Sequence, residues 1–145
     1  MNWSEGNTLM PNTPKKIYAP IPPETERIGK LVLDAAYKVH TVLGPGLLES
    51  VYRKAIKYVL VTGGTLAETE VDLPIVFEGI DIESGLRIDL LVAKCVIAEL
   101  KSVEKMNPVF DAQLITYLRL SKVCLGFLIN FNVPHLKDGI KRIIV

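Results

Sequence analysis

The sequence predicts an α/β domain in which a mixed sheet of four to five strands is packed by helices. Three observations predict it. Apolar residues recur at helical spacing between residues 24 and 61, and beyond Gly63-Gly64 the apolar period shifts to that of strands. Between two runs that are apolar on both faces, Asn107-Pro108 opens a further helix. The chain has 145 residues, 49% hydrophobic and 23% charged, which suits one domain with a real core.

Taken in order, residues 1–23 are rich in Pro, Asn and Thr and end Ala-Pro-Ile-Pro-Pro. Such a segment cannot propagate a helix and carries little apolar surface, so an extended or disordered tail is expected, followed by one domain over 24–145. Ile28, Leu31, Val32, Ala35, Ala36, Val39 and Leu43 mark a first helix, with Thr25 as candidate N-cap and Gly44-Pro45 as stop. A second helix is expected from about Gly46 to Val61, ended by Gly63-Gly64. Residues 66–78 read as one strand, with Pro74 at an edge or a bulge. Residues 86–92 and 95–101 read as central strands. The third helix runs from Asn107-Pro108 to about Ser121, because Asn caps well and Pro suits the first helical position. Residues 123–131 form another buried strand, and 140–145 can add a last one.

A formal net charge of +1 excludes a protein that coats nucleic acid through its whole surface, so any polyanion contact must be local. Cys95 and Cys124 sit apart in apolar runs and form neither a Cys-x-x-Cys pair nor a disulfide framework, which suggests two buried free thiols in a reducing compartment. No stretch has the length and apolarity of a signal peptide or a membrane span. A cytoplasmic protein with no membrane contact is expected, and a homodimer is an open oligomeric state.

Charges inside the central strands carry the chemical reading. Side chains on a strand alternate faces, so Glu99 and Lys101 point the same way. If 86–92 and 95–101 form a hairpin about Lys94, Asp89 lies opposite Glu99 on that face, with Cβ atoms roughly 5 Å apart. Two carboxylates about 4 Å apart repel by roughly 4 kcal/mol at an effective dielectric of 20. A divalent cation reverses that sign, and Mg²⁺ or Mn²⁺ binds a few carboxylates while keeping sites open for phosphate oxygens. The alternative is an ion pair of Asp89 or Glu99 with Lys101 at a wet sheet end. A one-residue slip in register would send Asp89 to the other face.

Ile88-Asp89, nine residues and then Glu99-Leu100-Lys101 resemble the PD-(D/E)XK nuclease signature. Gly46, Glu49 and Tyr52 stand in the spacing that names the GxxExxY family, a group of small proteins assigned to that superfamily. The resemblance continues through Arg87–Val92, Ala112–Leu118, Leu128–Phe131 and Leu136–Arg142, covering roughly residues 26–143. It implies a restriction-endonuclease-like core of helix, three antiparallel strands, helix and strand. It also implies that Asp89 and Glu99 bind the metal, that Glu49 assists from a helix, and that Lys101 is the catalytic lysine. Gln113 and Tyr117 resemble a Gln-x-x-x-Tyr element placed at the nucleic-acid strand. Ile88 stands where the signature has its proline, a departure that leaves the aspartate ligand in place.

Each supporting residue has a plainer reading. Glu49 is a first-turn glutamate that suits a helix N-terminus, and it could pair with Arg53 four residues on. Tyr52, grouped with the substrate-binding residues, more often packs against a sheet. His40 is a weak site candidate, since a satisfied or capping histidine is commoner. His135 follows Pro134 in a turn without a partner, and Lys137, Lys141 and Arg142 form a modest basic end that suits a solvated face. The expected function is a Mg²⁺- or Mn²⁺-dependent nuclease acting on DNA or RNA. The alternative is a nucleic-acid or protein binding module that keeps the fold with little or no turnover.

Overall fold

The structure, a computed structural model, describes residues 17–145, so the expected tail lies outside the described residues up to position 16. Helix α1 spans Pro23–Leu43 and buries Ile28, Val32, Ala35, Ala36 and Val39. Thr25 is not its cap. The helix starts two residues earlier, after Pro22, and Thr25 is buried within its first turn. Pro23 at the first position has no N–H to satisfy, and Glu24 and Glu26 face the positive helix end. At the other end, Gly44 takes φ 69°.

Helix α2 spans Glu49–Thr62, starting three residues later than expected. Gly46 has φ 94°, a value outside the helical region, so the chain must turn before it can coil.

The expected strand over 66–78 is two elements. Strand β1 spans Ala67–Asp72, then β2 (Ile75–Phe77) pairs with an unforeseen β3 (Ile80–Ile82) in a separate hairpin. Pro74, with no N–H for a ladder, falls at the break. Glu78 and Gly79 have φ 49° and 78°, the pair of positive angles that closes a two-residue hairpin with the right twist.

Strands β4 (Arg87–Val92), β5 (Val96–Lys101), β6 (Leu125–Asn130) and β7 (Ile140–Ile144) join β1 in a five-stranded sheet of order β1-β4-β5-β6-β7. Only β5 and β6 are parallel, because helix α3 (Pro108–Ser121) carries the chain back between them. The fold is thus the mixed, restriction-endonuclease-like α/β arrangement that the sequence predicts.

Helices α1 and α2 cover one sheet face with a core that includes Leu90, Val96, Leu100 and Phe127. Helix α3 covers the other with Leu114, Leu118, Ile97 and Leu128. Asn107 caps α3 as expected, its Oδ1 accepting from Val109 N at 2.9 Å. Gly126 lets α3 approach, since a Cβ there would stand 3.1 Å from Leu114 and Leu118. Cys95 and Cys124 are free but half-buried rather than buried, and burial pushes the Cys95 thiol above its ordinary range. Among the described residues no helix is long and apolar enough to cross a membrane.

Candidate active site

The β4–β5 hairpin turns through Ala93 and Lys94, both at positive φ. Its register pairs Val92 with Val96, Leu91 with Ile97 and Leu90 with Ala98, which puts Asp89 opposite Glu99 as expected. Main-chain pairing stops there. Beyond it, Asp89 N donates to Glu99 Oε1 at 3.2 Å, and Leu100 N donates to Asp89 Oδ2 at 3.0 Å. The strands spread, and each carboxylate fills the gap by taking a main-chain N–H from the opposite strand.

The divergence has a second cause on the β1 side. Glu70, flanked by the pairs Thr69–Leu90 and Val71–Ile88, has φ 53°. Ile88 packs into the core under α3, whereas Leu90 and Val92 pack under α1 and α2. Strict alternation would keep all three on one face. Strand β4 therefore turns over at Asp89.

Glu99 is only 7% exposed. Burial first, and then the neighbouring Asp89 charge, push its carboxyl up from 4.5 to about 8, opposed by the Asp89 N–H and by Lys101. Without metal the folded site thus favours the protonated form of Glu99 more than water does. Asp89 faces a cation that sequence reasoning missed. Arg53 of α2 holds Glu70 at 3.1 Å and comes within 3.9 Å of Asp89 Oδ1. Instead of pairing along its helix with Glu49, Arg53 crosses to the strands.

Lys101 sits at the end of β5, with Nζ 4.2 Å from the centre of the Phe110 ring on α3. A cation over an aromatic face is favoured where water is partly excluded. Tyr117, also on α3, is buried, and burial with the nearby Glu99 and Asp89 charges raises its hydroxyl above the usual phenol range. Gln113, one turn earlier, is exposed.

Glu49 is the half-buried first residue of α2. Its helix end is tied to the site strand, because Ser102 next to Lys101 donates through Oγ to Leu47 O at 2.6 Å. Even so, no group of three or more His, Cys, Asp or Glu able to hold a metal ion occurs among the described residues. The structure brings Asp89 and Glu99 together.

Tyr52, expected at the substrate, is instead wholly buried and stacked on Phe131 at 4.3 Å between ring centres. Its hydroxyl donates to Gly44 O at 2.6 Å and accepts from Leu47 N at 3.1 Å. Both hydrogen-bonding roles are spent on the turn before α2. His40 is buried as well, its Nε2 donating to Val133 O at 2.8 Å, which is the plainer of its two readings. His135 is exposed. Lys141 pairs with Asp111, and Arg142 with Glu26.

Asn130 went unforeseen. Buried at the end of β6 beside Lys101, it accepts from Val103 N and Asn132 N and donates to Val103 O. One amide thereby fixes the chain leaving β5, which carries Glu99 and Lys101, and β6 beside it. Its only signal in the sequence is a polar residue inside an apolar run.

A family model described as the PD-(D/E)XK nuclease superfamily matches residues 26–143. The chain belongs to the PD-(D/E)XK nuclease superfamily. No curated protein and no solved structure matches it. Nucleases of this superfamily generally use divalent metals, and the donor set here fits one in kind. With one oxygen of each carboxylate holding a main-chain N–H, Asp89 Oδ1 and Glu99 Oε2 remain as hard oxygen donors. Two such donors suit an ion that keeps most of its waters, as Mg²⁺ and Mn²⁺ do.

Proposed function

We propose that this chain is a divalent-metal-dependent nuclease of the GxxExxY group that hydrolyses phosphodiester bonds of DNA or RNA. The observation that carries the reading is the facing pair of carboxylates, half-buried Asp89 and buried Glu99, pinned by each other's strands with Lys101 two residues on. Asp89 and Glu99 would hold Mg²⁺ or Mn²⁺, with Glu49 assisting from α2. The ion supplies charge neutralisation at phosphorus and a more acidic bound water.

The chain's own residues do the rest. To hold such an ion Glu99 would be needed as the carboxylate, its proton passing to solvent. Lys101, held over Phe110, orients or activates the attacking water and offsets charge gathering on the phosphate. Gln113 and Tyr117, one turn apart on α3, donate to phosphate or sugar oxygens and align the nucleic-acid strand. Within the GxxExxY spacing, Gly46 and Tyr52 shape the turn that presents Glu49, leaving the glutamate as the residue available for chemistry.

Arg53 favours a second reading. A guanidinium close to Asp89 offsets its charge without a metal, as a binding module with little or no turnover would need. One experiment separates the two: single- and double-stranded DNA and RNA are incubated with the chain, with and without Mn²⁺, beside Lys101→Met. Metal-dependent cleavage lost in the variant supports the nuclease. Absence of cleavage on every substrate, together with no thermal shift by Mn²⁺, sinks it.

A further inference from the structure

Among the described residues the β2–β3 hairpin has no strand partner beyond its own two strands. Its register pairs Ile75 with Ile82 and Phe77 with Ile80, and residues two apart or directly opposite share a face. One face is therefore an apolar quartet. Within it Phe77 is 60% and Ile80 64% exposed. A hairpin of three-residue strands with a bare apolar face is marginal in water, so this element calls for a cover. Its polar residues are acidic: Glu78 at the turn, Asp81 on the opposite face and Glu83 just beyond.

A second unpartnered apolar surface lies on the far side of the molecule's helical layer. The outer groove between α1 and α2 is lined by Val42, Leu43, Val51, Ala55 and Tyr58, with Lys38 and Lys54 at its edge. Val42 is 76% and Tyr58 71% exposed. Two large exposed apolar surfaces on one small chain mark an interaction site. They match in sign as well, since the hairpin carries only acids and the groove only lysines, and complementary charge selects a partner and its register. An acidic hairpin is also a poor ligand for a polyanion.

We propose that the chain self-associates by seating the apolar face of the β2–β3 hairpin of one copy in the α1–α2 groove of another, with Glu78 at the hairpin turn and Glu83 beyond its last strand toward Lys38 and Lys54. Phe77 and Ile80 fill the groove between Val42 and Tyr58. The contact is heterologous: two different surfaces meet, and each copy offers both. This association is independent of the metal site.

The test is sedimentation of the full-length chain over a wide concentration range, with Phe77→Glu and Tyr58→Glu as variants on either side of the contact. Both positions are exposed, and unchanged circular dichroism and Tm verify that each variant folds. The wild-type chain is expected to associate reversibly, and each variant to weaken association about tenfold or more, as loss of a central aromatic anchor does. Mixing the variants is the deciding arm. Phe77→Glu keeps an intact groove and Tyr58→Glu an intact hairpin, so the mixture is expected to associate more tightly than either alone. A chain that stays monomeric throughout, or variants that associate like the wild type, overturn the proposal. A mixture no tighter than its components overturns the hairpin-in-groove pairing.

Discussion

Asp89 and Glu99 each accept a main-chain N–H from the opposite strand, so either side chain affects both geometry and charge. Glu99 holds its proton up to about 8 in the folded chain against an ordinary 4.5. Between those values the native state binds more protons than the unfolded one, so stability falls as pH rises through that window and levels off above it. Thermal melts in chelator should show this decline, and Glu99→Gln, which keeps an acceptor for Asp89 N, should flatten it. A wild-type decline no steeper than the variant's would contradict the assignment. Tyr52→Phe removes a hydroxyl that serves both Gly44 O and Leu47 N. It is expected to cost about 1–3 kcal/mol by urea denaturation, since it leaves two partly buried main-chain groups short of a partner. Ordinary affinity for substrate would follow in the folded fraction, because the hydroxyl faces the turn.

At the scale of elements, the placing of α3 sets where Phe110 and Tyr117 stand relative to Lys101 and Glu99. Its closeness to β6 depends on Gly126, whose added Cβ would crowd Leu114 and Leu118. Gly126→Ala is expected to destabilise by about 1–3 kcal/mol, the usual range for overpacking. If cleavage is observed for the wild type, this variant should also lose rate per folded molecule, because α3 must shift outward with Phe110 and Tyr117. Full rate with full stability would show that α3 tolerates the methyl and that its position is not limiting.

For the whole molecule, metal binding and folding are linked. An ion that binds the native site stabilises it by about 2.7 kcal/mol at a hundred times Kd, so Tm should climb with Mn²⁺. Asp89→Asn should abolish that climb while leaving the metal-free Tm near its wild-type value, since Asn still offers an oxygen to Leu100 N and the Arg53 attraction it loses is a 3.9 Å contact rather than a hydrogen bond. Lys101→Met should keep the climb and lose hydrolysis, because the stem still packs on Phe110 and only the ammonium is gone. A metal response unchanged in Asp89→Asn would make Asp89 a structural partner of Arg53.

Much of this was already present in local pattern. Helical and strand periods placed α1, α2, α3 and the central strands within a few residues, because burial of one face imposes its period on the sequence. Alternation about a short turn fixed the β4–β5 register, and with it the facing of Asp89 and Glu99. What local pattern could not hold is which distant groups share a partner. Arg53 is four residues from Glu49 in its helix, yet it reaches Glu70 and Asp89 because helix packing brings two strands nearer than the next turn's side chain. Tyr52 carries a motif position, and only the fold reveals that its hydroxyl closes the Gly44–Leu47 turn. The switch of β4 from one core to the other at Asp89, and the closing of the freestanding β2–β3 hairpin past the break at Pro74, go with positive φ at Glu70 and Glu78, where non-glycine residues seldom go. A sequence specifies periods and registers through neighbours a few bonds apart. The charge environment of the carboxylates is decided by contacts made across the sheet and between layers, which exist only once the chain has folded.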